Sequence, residues 1–178
     1  TVADHINQIF STKNAVASVY FDLNVGMNRT GISPSEAIPL AQYCQRLPHI
    51  ALKGWHAYDG HIREVNYEAK SALCDATYGL VEQLQQQLPL SEIVMGGSPS
   101  YSVHCKRPNI TCSPGTFIYW DAGYAAICPE QPFEPAAFLL TRVISKPAPA
   151  VLCLDLGHKA VAAENPLQNR VRFINDVG

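Results

Sequence analysis

Two glycine- and serine-rich turns are the first feature of the chain that could do chemistry. The segments Gly96-Gly97-Ser98-Pro99-Ser100 and Ser113-Pro114-Gly115-Thr116 each lie beside a short apolar run. Glycine lets backbone N–H groups approach a phosphate closely, and a serine or threonine hydroxyl adds another donor. The same residue types also form ordinary turns. The two segments therefore predict an anion site only if the fold brings them together.

Ring and cationic side chains at the ends of the first two strand-like runs form a second candidate group. His56 and Tyr58 are two residues apart, so in a strand both side chains point to one face. Such a pair can stack on an aromatic cofactor and move protons; the alternative is a barrel interior of satisfied polar groups. Arg29, in a glycine-flanked loop, could pair with a carboxylate or phenolate oxygen, although a lone loop arginine is more often plain surface.

Metal ligands and a Schiff-base lysine do not occur at the expected spacings. His61 and His104 have no second ligand at a metal-binding spacing, and the six cysteines include no Cys-x-x-Cys pair. We therefore predict no metal site within the chain and interpret most cysteines as reduced and buried. Lys159 falls in a later strand-rich region, where a salt bridge is the simpler interpretation. A Schiff-base lysine belongs at a strand end inside the site, a place predicted for none of Lys13, Lys53, Lys70, Lys106 and Lys146.

The elements that position these residues alternate between helix and strand over the first two thirds of the chain. Short runs rich in β-branched and aromatic residues predict strands, and apolar residues at helical spacing predict helices. Ser33, Pro34 and Glu36 together mark one helix start. Because the connections are short, the alternation predicts βαβ units and a parallel sheet. The predicted strands are 17–23, 50–58, 92–95 and 116–120, and the predicted helices lie near 6–10, at 34–46, at 64–87 and, as a short helix, before residue 108.

The pattern changes after residue 133. Two strand-like runs, 138–144 and 151–155, are separated by Lys146-Pro147-Ala148-Pro149 with no helix between them, which is typical of a hairpin or meander. Prolines cluster just before, so we place a domain boundary near 125–133. Four β/α units do not close a (β/α)8 barrel, which takes about 250 residues. The first unit is therefore either an open sheet or part of a larger barrel.

The composition of the chain argues against several classes of function. Apolar residues make up 47% and charged residues 16%, with a formal net charge of −2. A nucleic-acid-binding domain would carry a basic stripe, and a disordered chain would combine low hydrophobicity with high net charge. No apolar run reaches the roughly 18–20 residues of a membrane span, and no signal-peptide pattern opens the chain. We expect a cytoplasmic protein without a nucleic-acid or membrane partner.

Taken in order, the motifs resemble those of the alanine racemase-type (fold type III) pyridoxal phosphate enzymes. Gly26-Met27-Asn28-Arg29-Thr30-Gly31 resembles the Gly-Met-x-Arg-x-Gly loop of that family, and Gly54-Trp55-His56-Ala57-Tyr58 resembles the strand that follows it. The two glycine- and serine-rich turns resemble its phosphate-binding turns. Residues 113–124 and Asp155-Leu156-Gly157-His158-Lys159-Ala160 most resemble the D-threonine aldolase and D-serine dehydratase branch.

The resemblance implies a fold, a cofactor and a set of site residues. The fold is α/β: residues 1–125 form the second half of an alanine racemase-like (β/α)8 TIM barrel, and residues 126–178 begin a β-rich C-terminal domain. Ser113 stands where racemases place an arginine against the pyridine nitrogen of pyridoxal 5′-phosphate, a departure that favours the lyase branch. The implied catalytic residues are Arg29, His56 and Tyr58, and the implied cofactor-binding residues are Gly97, Ser98, Ser100, Ser113, Gly115 and Thr116.

Two parts of the family pattern have no counterpart in the chain. The Schiff-base lysine of the family lies on the first barrel strand, and the lyase branch binds zinc or manganese close to its C-terminus. We expect both segments to lie outside these residues, in a longer protein of which this chain is the middle. The chain alone should then be inactive and should pair with the missing segments or as a homodimer.

The resemblance implies a lyase that acts on D-β-hydroxy amino acids. Either retro-aldol cleavage of D-threonine or dehydration of D-serine fits the branch. The alternatives are an amino-acid racemase of the same fold and a non-catalytic carrier of pyridoxal phosphate.

Overall fold

The structure of the chain is a computed structural model that describes residues 1–175. It contains a parallel four-stranded sheet with helices, followed by a separate antiparallel hairpin. The sheet has the strand order β1-β2-β3-β4, and each neighbouring pair is parallel, as predicted. The elements are α1 (Val2–Thr12), β1 (Ala17–Leu23), α2 (Pro34–Cys44), β2 (Ile50–Ala57), α3 (Tyr67–Gln87), β3 (Glu92–Met95), α4 (Tyr101–His104), β4 (Ile110–Thr111), α5 (Ala122–Ile127), β5 (Val143–Ala148) and β6 (Val151–Leu154).

The helix starts follow local capping chemistry. α2 begins at Pro34, as the proline and the acidic first turn predict, although the Ser33 side chain makes no capping hydrogen bond. α3 begins three residues later than predicted, because the Asn66 side chain accepts a hydrogen bond from the backbone N–H of Ala69 at 2.8 Å. An asparagine that caps the N-terminal N–H groups fixes the first turn of the helix there.

The core lies between the sheet and helices α2 and α3. Leu23, Trp55 and Met95 project from three neighbouring strands and are almost fully buried. Val81 of α3 packs into the same cluster, and Phe21 meets Trp55 edge-to-face with ring centroids 5.9 Å apart. This face of the sheet is covered by helices, so the polar residues of the same strands point to the opposite face.

A β-bulge in β2 decides which residues lie on each face. Val19 of β1 aligns with Leu52, but the next residue, Tyr20, aligns with Gly54, so Lys53 is an extra residue in the ladder. Beyond the bulge, Phe21 aligns with Trp55, and the following pair, Asp22 with His56, faces the other way. The bulge therefore places Trp55 in the core and His56 on the open face.

The predicted strand at 116–120 is wrong. Residues Thr116–Ile118 form a short 3-10 helix, and the fourth strand of the sheet is instead the two-residue β4. Trp120, in the left-handed region at φ +48°, is buried with its ring 5.1 Å from that of Phe133. A five-residue apolar run has no periodicity that separates a strand from a folded aromatic cluster.

The hairpin after the sheet confirms the change from helix–strand alternation to consecutive strands. β5 and β6 pair antiparallel, and Ala150 in the turn between them has φ +60°. The first of these strands begins at Val143 rather than at residue 138. Most of the hairpin's apolar side chains are exposed, including Ile144 and Val151. Within residues 1–175, no helix has both the length and the apolar content to cross a membrane.

Candidate phosphate-binding site

The two glycine- and serine-rich turns lie against each other at the carboxyl end of the sheet. The backbone N–H of Thr116 donates to Ser98 Oγ at 3.1 Å, and the N–H of Ser113 donates to the carbonyl oxygen of Gly96 at 3.0 Å. The first turn follows directly from β3, and the second follows β4, the neighbouring strand. The structure thus brings together the two segments that an anion site required.

The joined turns keep hydrogen-bond donors that can serve an anion. Ser98 Oγ accepts from Thr116, so the hydroxyl proton of Ser98 remains to be donated. The N–H groups of Ser98 and Gly115 meet no acceptor within the part of the chain that the structure describes. Space beside Gly115 is open, since a Cβ built there would meet no atom within 4 Å. Hydroxyl and amide donors around open space suit a phosphate group.

Three further predicted cofactor-binding residues differ in their burial and in their hydrogen bonds. Thr116 has already given its N–H to Ser98, which leaves its hydroxyl for a ligand. Ser113 is exposed beside the turn. Ser100 is fully buried, and its hydroxyl donates to a carboxylate oxygen of Asp59. Ser100 therefore holds the turn in place from behind.

Tyr58 forms a wall of the site next to the first turn. A Cβ on Gly97 would lie 2.4 Å from Tyr58 Cε2, and one on Gly60 would lie 2.3 Å from its Cζ. Real side chains do not approach so closely, so only glycine lets the ring pack against both backbone segments. The Arg29 guanidinium lies over the same ring, 4.7 Å from its centroid. Arg29, Tyr58 and Gly97 are therefore neighbours at one end of the sheet.

His56 pairs with an acidic residue at the end of the neighbouring strand. Nδ1 of His56 lies 2.6 Å from Oδ1 of Asp22, its aligned neighbour on β1. The side chains of His56 and Asp22 are 32% and 37% exposed. Both lie on the face opposite the helices, because Trp55 and Leu23 next to them are in the core. The signal was the alignment of two strand ends, which a single sequence does not reveal.

A buried polar network behind the first turn was missed by the sequence analysis. Oδ2 of Asp59 lies 2.7 Å from Nε2 of His104, and both side chains are fully buried. Burial alone would raise the pKa of Asp59, but the hydrogen bonds from His104 and Ser100 outweigh it and hold that pKa below its ordinary value. The network ties the segment after β2 to α4 and to the turn between them.

Within residues 1–175, one set of three potential metal ligands has its donor atoms within 4.8 Å of one another. The set consists of Asp59, Cys74 and His104. Arg107 Nε donates to His104 Nδ1 at 3.2 Å, so the ring proton is on Nε2, the atom that points at Asp59. Metal-bound histidines donate their second N–H rather than accept there. Burial, with the negative charge of Asp59, also raises the pKa of the Cys74 thiol to about 12. The cluster is organised for hydrogen bonding.

Lys70 is a buried lysine away from the strand ends. It projects from α3, and Nζ donates to Glu130 Oε1 at 2.7 Å and to the carbonyl oxygen of Ile127 at 3.1 Å. Ser102 donates to the same Glu130 oxygen at 2.6 Å. Burial tends to raise the pKa of Glu130, but its hydrogen bonds with Lys70 and Ser102 lower it overall. Glu130 thus links the segment after α5 to α3 through Lys70 and to α4 through Ser102.

Gln131 supports the first turn from the same segment. Its Nε2 donates to the backbone carbonyl of Ser98 at 2.8 Å, and the side chain is buried. Ser98 is therefore held at its carbonyl by Gln131 and at its hydroxyl by Thr116. Nothing in the local sequence marked Gln131 for this position.

A parallel α/β sheet with helices, and with a donor-rich double turn at its carboxyl end, is typical of a protein built on an α/β barrel. The family model described as alanine racemase, N-terminal domain, matches residues 1–122. The chain belongs to this family.

Individual relatives agree with that assignment. The chain is 28% identical over 169 residues to a D-threonine aldolase of Arthrobacter sp., an alignment that covers 89% of this chain and 45% of the relative. It is 25% identical over 166 residues to a 3-hydroxy-D-aspartate aldolase of Paracoccus denitrificans (strain Pd 1222), covering 84% and 42%. The chain therefore spans less than half the length of these relatives.

Solved structures show the same fold. An alanine racemase of Clostridium difficile 630, in complex with cycloserine, superposes with a TM-score of 0.60 at 20% identity, covering 76% of this chain and 38% of that one. At this identity the likeness concerns the fold. It confirms that the four parallel strands are part of an alanine racemase-like barrel.

Proposed function

We propose that this chain is the phosphate-binding part of a pyridoxal phosphate-dependent lyase that acts on small D-β-hydroxy amino acids. The single observation that carries the proposal is the pair of joined turns, with the Ser98 hydroxyl proton and the Gly115 N–H free to donate. Similarity to two aldolases for D-amino acids over most of the chain supports the substrate class.

The residues of the site fit pyridoxal phosphate. The joined turns provide donors for its phosphate, and the Tyr58 ring, packed against Gly97 of the first turn, offers an aromatic surface beside them. Arg29 over Tyr58 provides a cation for an oxygen of the ring or of the substrate. When bound, the cofactor draws electron density from the bond that breaks at the substrate Cα.

The side chains of this chain supply positioning and proton transfer. In the cleavage of D-threonine, His56 takes the proton of the β-hydroxyl, and the electrons of that O–H bond become the second bond of the aldehyde carbonyl. The Cα–Cβ bond breaks, its electron pair stays with Cα, and Cα then takes a proton. The products are glycine and acetaldehyde, so atoms and charges balance.

Dehydration of D-serine is the other reaction of the proposed class. It removes the α-proton and expels the β-hydroxyl, which yields pyruvate and ammonia after hydrolysis. The aldolase is preferred because the first of the relatives above is named for aldol cleavage of D-threonine. A divalent zinc or manganese ion stays a prediction for a segment outside these residues. The buried Asp59, Cys74 and His104 do not fit one, so no step is derived through a metal.

The test uses the full-length protein with pyridoxal phosphate. D-threonine should give glycine and acetaldehyde, and D-serine should give less pyruvate and ammonia or none. Ser98→Ala should weaken the apparent affinity for the cofactor, whereas the matched control Ser91→Ala, at the other end of β3, should not. Racemisation of alanine with no lyase products would overturn the proposal.

The 178-residue chain alone should bind the cofactor weakly and without turnover. Borohydride treatment should trap no cofactor on its lysines, including the buried Lys70. Cofactor trapped on a lysine of this chain would contradict the expectation that the Schiff-base lysine lies elsewhere. Weak, lysine-independent binding with no lyase activity in the full-length protein would instead support a carrier of pyridoxal phosphate. A cytoplasmic homodimer stays a prediction.

A further inference from the structure

We infer that Asp22 is a positioning residue that fixes the tautomer of His56 and leaves Nε2 of that ring as the proton acceptor. The inference rests on the proposed function for the reaction that uses the acceptor. The tautomer itself rests only on the geometry of β1 and β2. Asp22 would act through His56 and need not touch the substrate.

The pair is built into the sheet. Asp22 and His56 are aligned residues of neighbouring parallel strands, and Oδ1 lies 2.6 Å from Nδ1. Their positions are fixed from the core side by Phe21 and Trp55, the aligned pair one residue earlier, whose rings are in contact. The carboxylate and the imidazole are therefore held at hydrogen-bond distance by the backbone rather than by flexible loops.

The carboxylate determines which ring nitrogen carries the proton. An ionised aspartate can only accept hydrogen bonds, so the neutral His56 ring must present Nδ1–H to Asp22. Nε2 then has a lone pair, and no side chain or backbone group within residues 1–175 donates to it. About a third of the His56 side chain is exposed on the open face of the sheet, at the end where the joined turns lie.

The second histidine–aspartate pair of the molecule has the opposite arrangement. His104 accepts from Arg107 at Nδ1 and presents Nε2–H to Asp59, with both side chains fully buried. That ring has no free lone pair and no path to a substrate. The chain thus contains a buried pair in which the histidine proton is on Nε2 and a half-exposed pair in which it is on Nδ1.

Asp22 also matters after the proton is transferred. When Nε2 takes the substrate hydroxyl proton, the ring becomes an imidazolium with Nδ1–H still on Asp22. The carboxylate 2.6 Å away stabilises that positive charge. The same carboxylate therefore orients the base and stabilises its protonated form.

Nitrogen-15 correlation spectra of the imidazole rings test the tautomers directly. In the full-length protein, above the ordinary titration range of histidine, His56 should show Nδ1–H and His104 should show Nε2–H. In Asp22→Ala, His56 should lose its Nδ1–H preference while His104 is unchanged and serves as the internal control. Asp22→Asn replaces one acceptor oxygen by a donor group of the same shape, so it should also weaken the Nδ1–H preference of His56. This second variant covers the case in which the alanine variant does not fold.

Either of two spectra would overturn the inference. The first is Nε2–H on His56 in the wild-type protein, and the second is an Nδ1–H signal that survives unchanged in a folded Asp22 variant.

Steady-state kinetics test the consequence for the reaction. His56→Gln should lower kcat for D-threonine cleavage by about 10²–10⁴-fold, the usual contribution of a general base. Asp22→Ala should lower kcat by at least about tenfold, but by less than His56→Gln does, with KM changed much less, because Asp22 does not hold the substrate. An active enzyme whose kcat is unaffected by Asp22→Ala overturns the inference and leaves the lyase function standing. Inactive wild-type protein with the expected tautomers overturns the proposed function alone.

Discussion

Ser98 is the residue through which the parts of the candidate site are connected. Its hydroxyl accepts from Thr116, its carbonyl accepts from Gln131, and its side chain is almost fully buried. Both contacts use acceptor capacity, so the single proton of the hydroxyl is left for a ligand. The residue therefore joins two chain segments and still keeps one donor for the proposed phosphate.

Replacement of Ser98 by alanine should weaken phosphate and cofactor binding. The variant loses a donor to a charged group, worth about 1.5–3 kcal/mol, and leaves the Thr116 N–H without its acceptor. We expect the dissociation constant for pyridoxal phosphate, measured by equilibrium dialysis, to rise about 10–100-fold. Ser91→Ala, which removes a hydroxyl that donates to the Lys53 carbonyl, is the control. Equal affinity of the Ser98 variant and the wild type would refute the phosphate role.

Asp59 should make the stability of the protein depend on acid pH. The pKa of Asp59 is lower in the folded chain than its ordinary value of about 3.9 in an unfolded chain. Its contribution to the free energy of unfolding is therefore complete above about pH 4 and is lost as the pH falls through the lowered folded-state pKa. Asp59→Asn should cost about 1–3 kcal/mol at pH 7.

Urea unfolding at several pH values checks the sign of this dependence. The stability difference between wild type and Asp59→Asn should be largest at neutral pH and should shrink below about pH 4. A difference that grows on acidification would contradict the assignment of Asp59 as the charged partner in the network.

The type and position of a single residue could be predicted more readily than its partner. Arg29, Tyr58 and the serines of both turns were identified because their residue types and strand-end positions suggest chemistry. The partners of His56 and His104 are 34 and 45 residues away in sequence. Their identity depends on strand register and on where α4 lies, and neither is encoded in the local sequence.

At the scale of elements, α3 is tied to the segment after α5 by a buried charge. Lys70 is fully buried, and Glu130, its partner 60 residues later, also accepts from Ser102 at the start of α4. Taking an ammonium group out of water is costly unless its donors are satisfied. The bound segment carries Gln131, so this ion pair also supports the first turn.

Lys70→Met should destabilise the fold more than an ordinary surface substitution. It leaves Glu130 without its cation, and breaking a buried pair on one side costs about 3–5 kcal/mol. Because Glu130 is partly exposed, we expect the lower end of that range by urea denaturation. The double variant Lys70→Met with Glu130→Gln should recover part of the loss, and Lys13→Met, on an exposed lysine, is the control. A loss below about 0.5 kcal/mol, the usual limit for surface changes, would contradict the interpretation.

Elements with a clear pattern were predicted, and short or aperiodic ones were not. β1 and β3 were found at their observed bounds, and α2 at its observed start, because apolar runs and capping residues define them. β4 has two residues and owes its existence to β3 beside it. The aromatic residues at 116–120 fold onto Phe133 instead of extending, a tertiary preference that outweighs their strand propensity.

At the scale of the whole molecule, the sheet has open edges. In the part of the chain that the structure describes, β1 and β4 each pair with one strand only, and Ile32 forms a single bridge to Leu23 at the end of β1. Unpaired strand edges offer N–H and C=O groups to another chain. The exposed apolar residues of the hairpin, such as Ile144 at 66% exposure, add a surface that favours association.

The 178-residue chain expressed by itself should therefore self-associate. Analytical ultracentrifugation should show a dimer or larger species whose population rises with concentration, because edge pairing and apolar burial both depend on a second copy. The full-length protein, at the same concentrations, should show a single defined species. A folded chain that stays monomeric throughout would contradict the expectation from the open edges.

The extra residue in β2 gives the gene a point of unusual tolerance. On β1 the core-facing residues keep one parity from end to end, whereas on β2 the parity changes at Lys53, from Leu52 before it to Trp55 after it. An in-frame loss of the Lys53 codon would join Leu52 directly to Gly54 and remove the bulge, so Trp55 would still align with Phe21 and His56 with Asp22. By contrast, one codon inserted between Trp55 and His56 would move His56 and every later side chain of the strand to the other face. The gene should therefore tolerate a three-nucleotide deletion at Lys53 better than a three-nucleotide insertion just before His56.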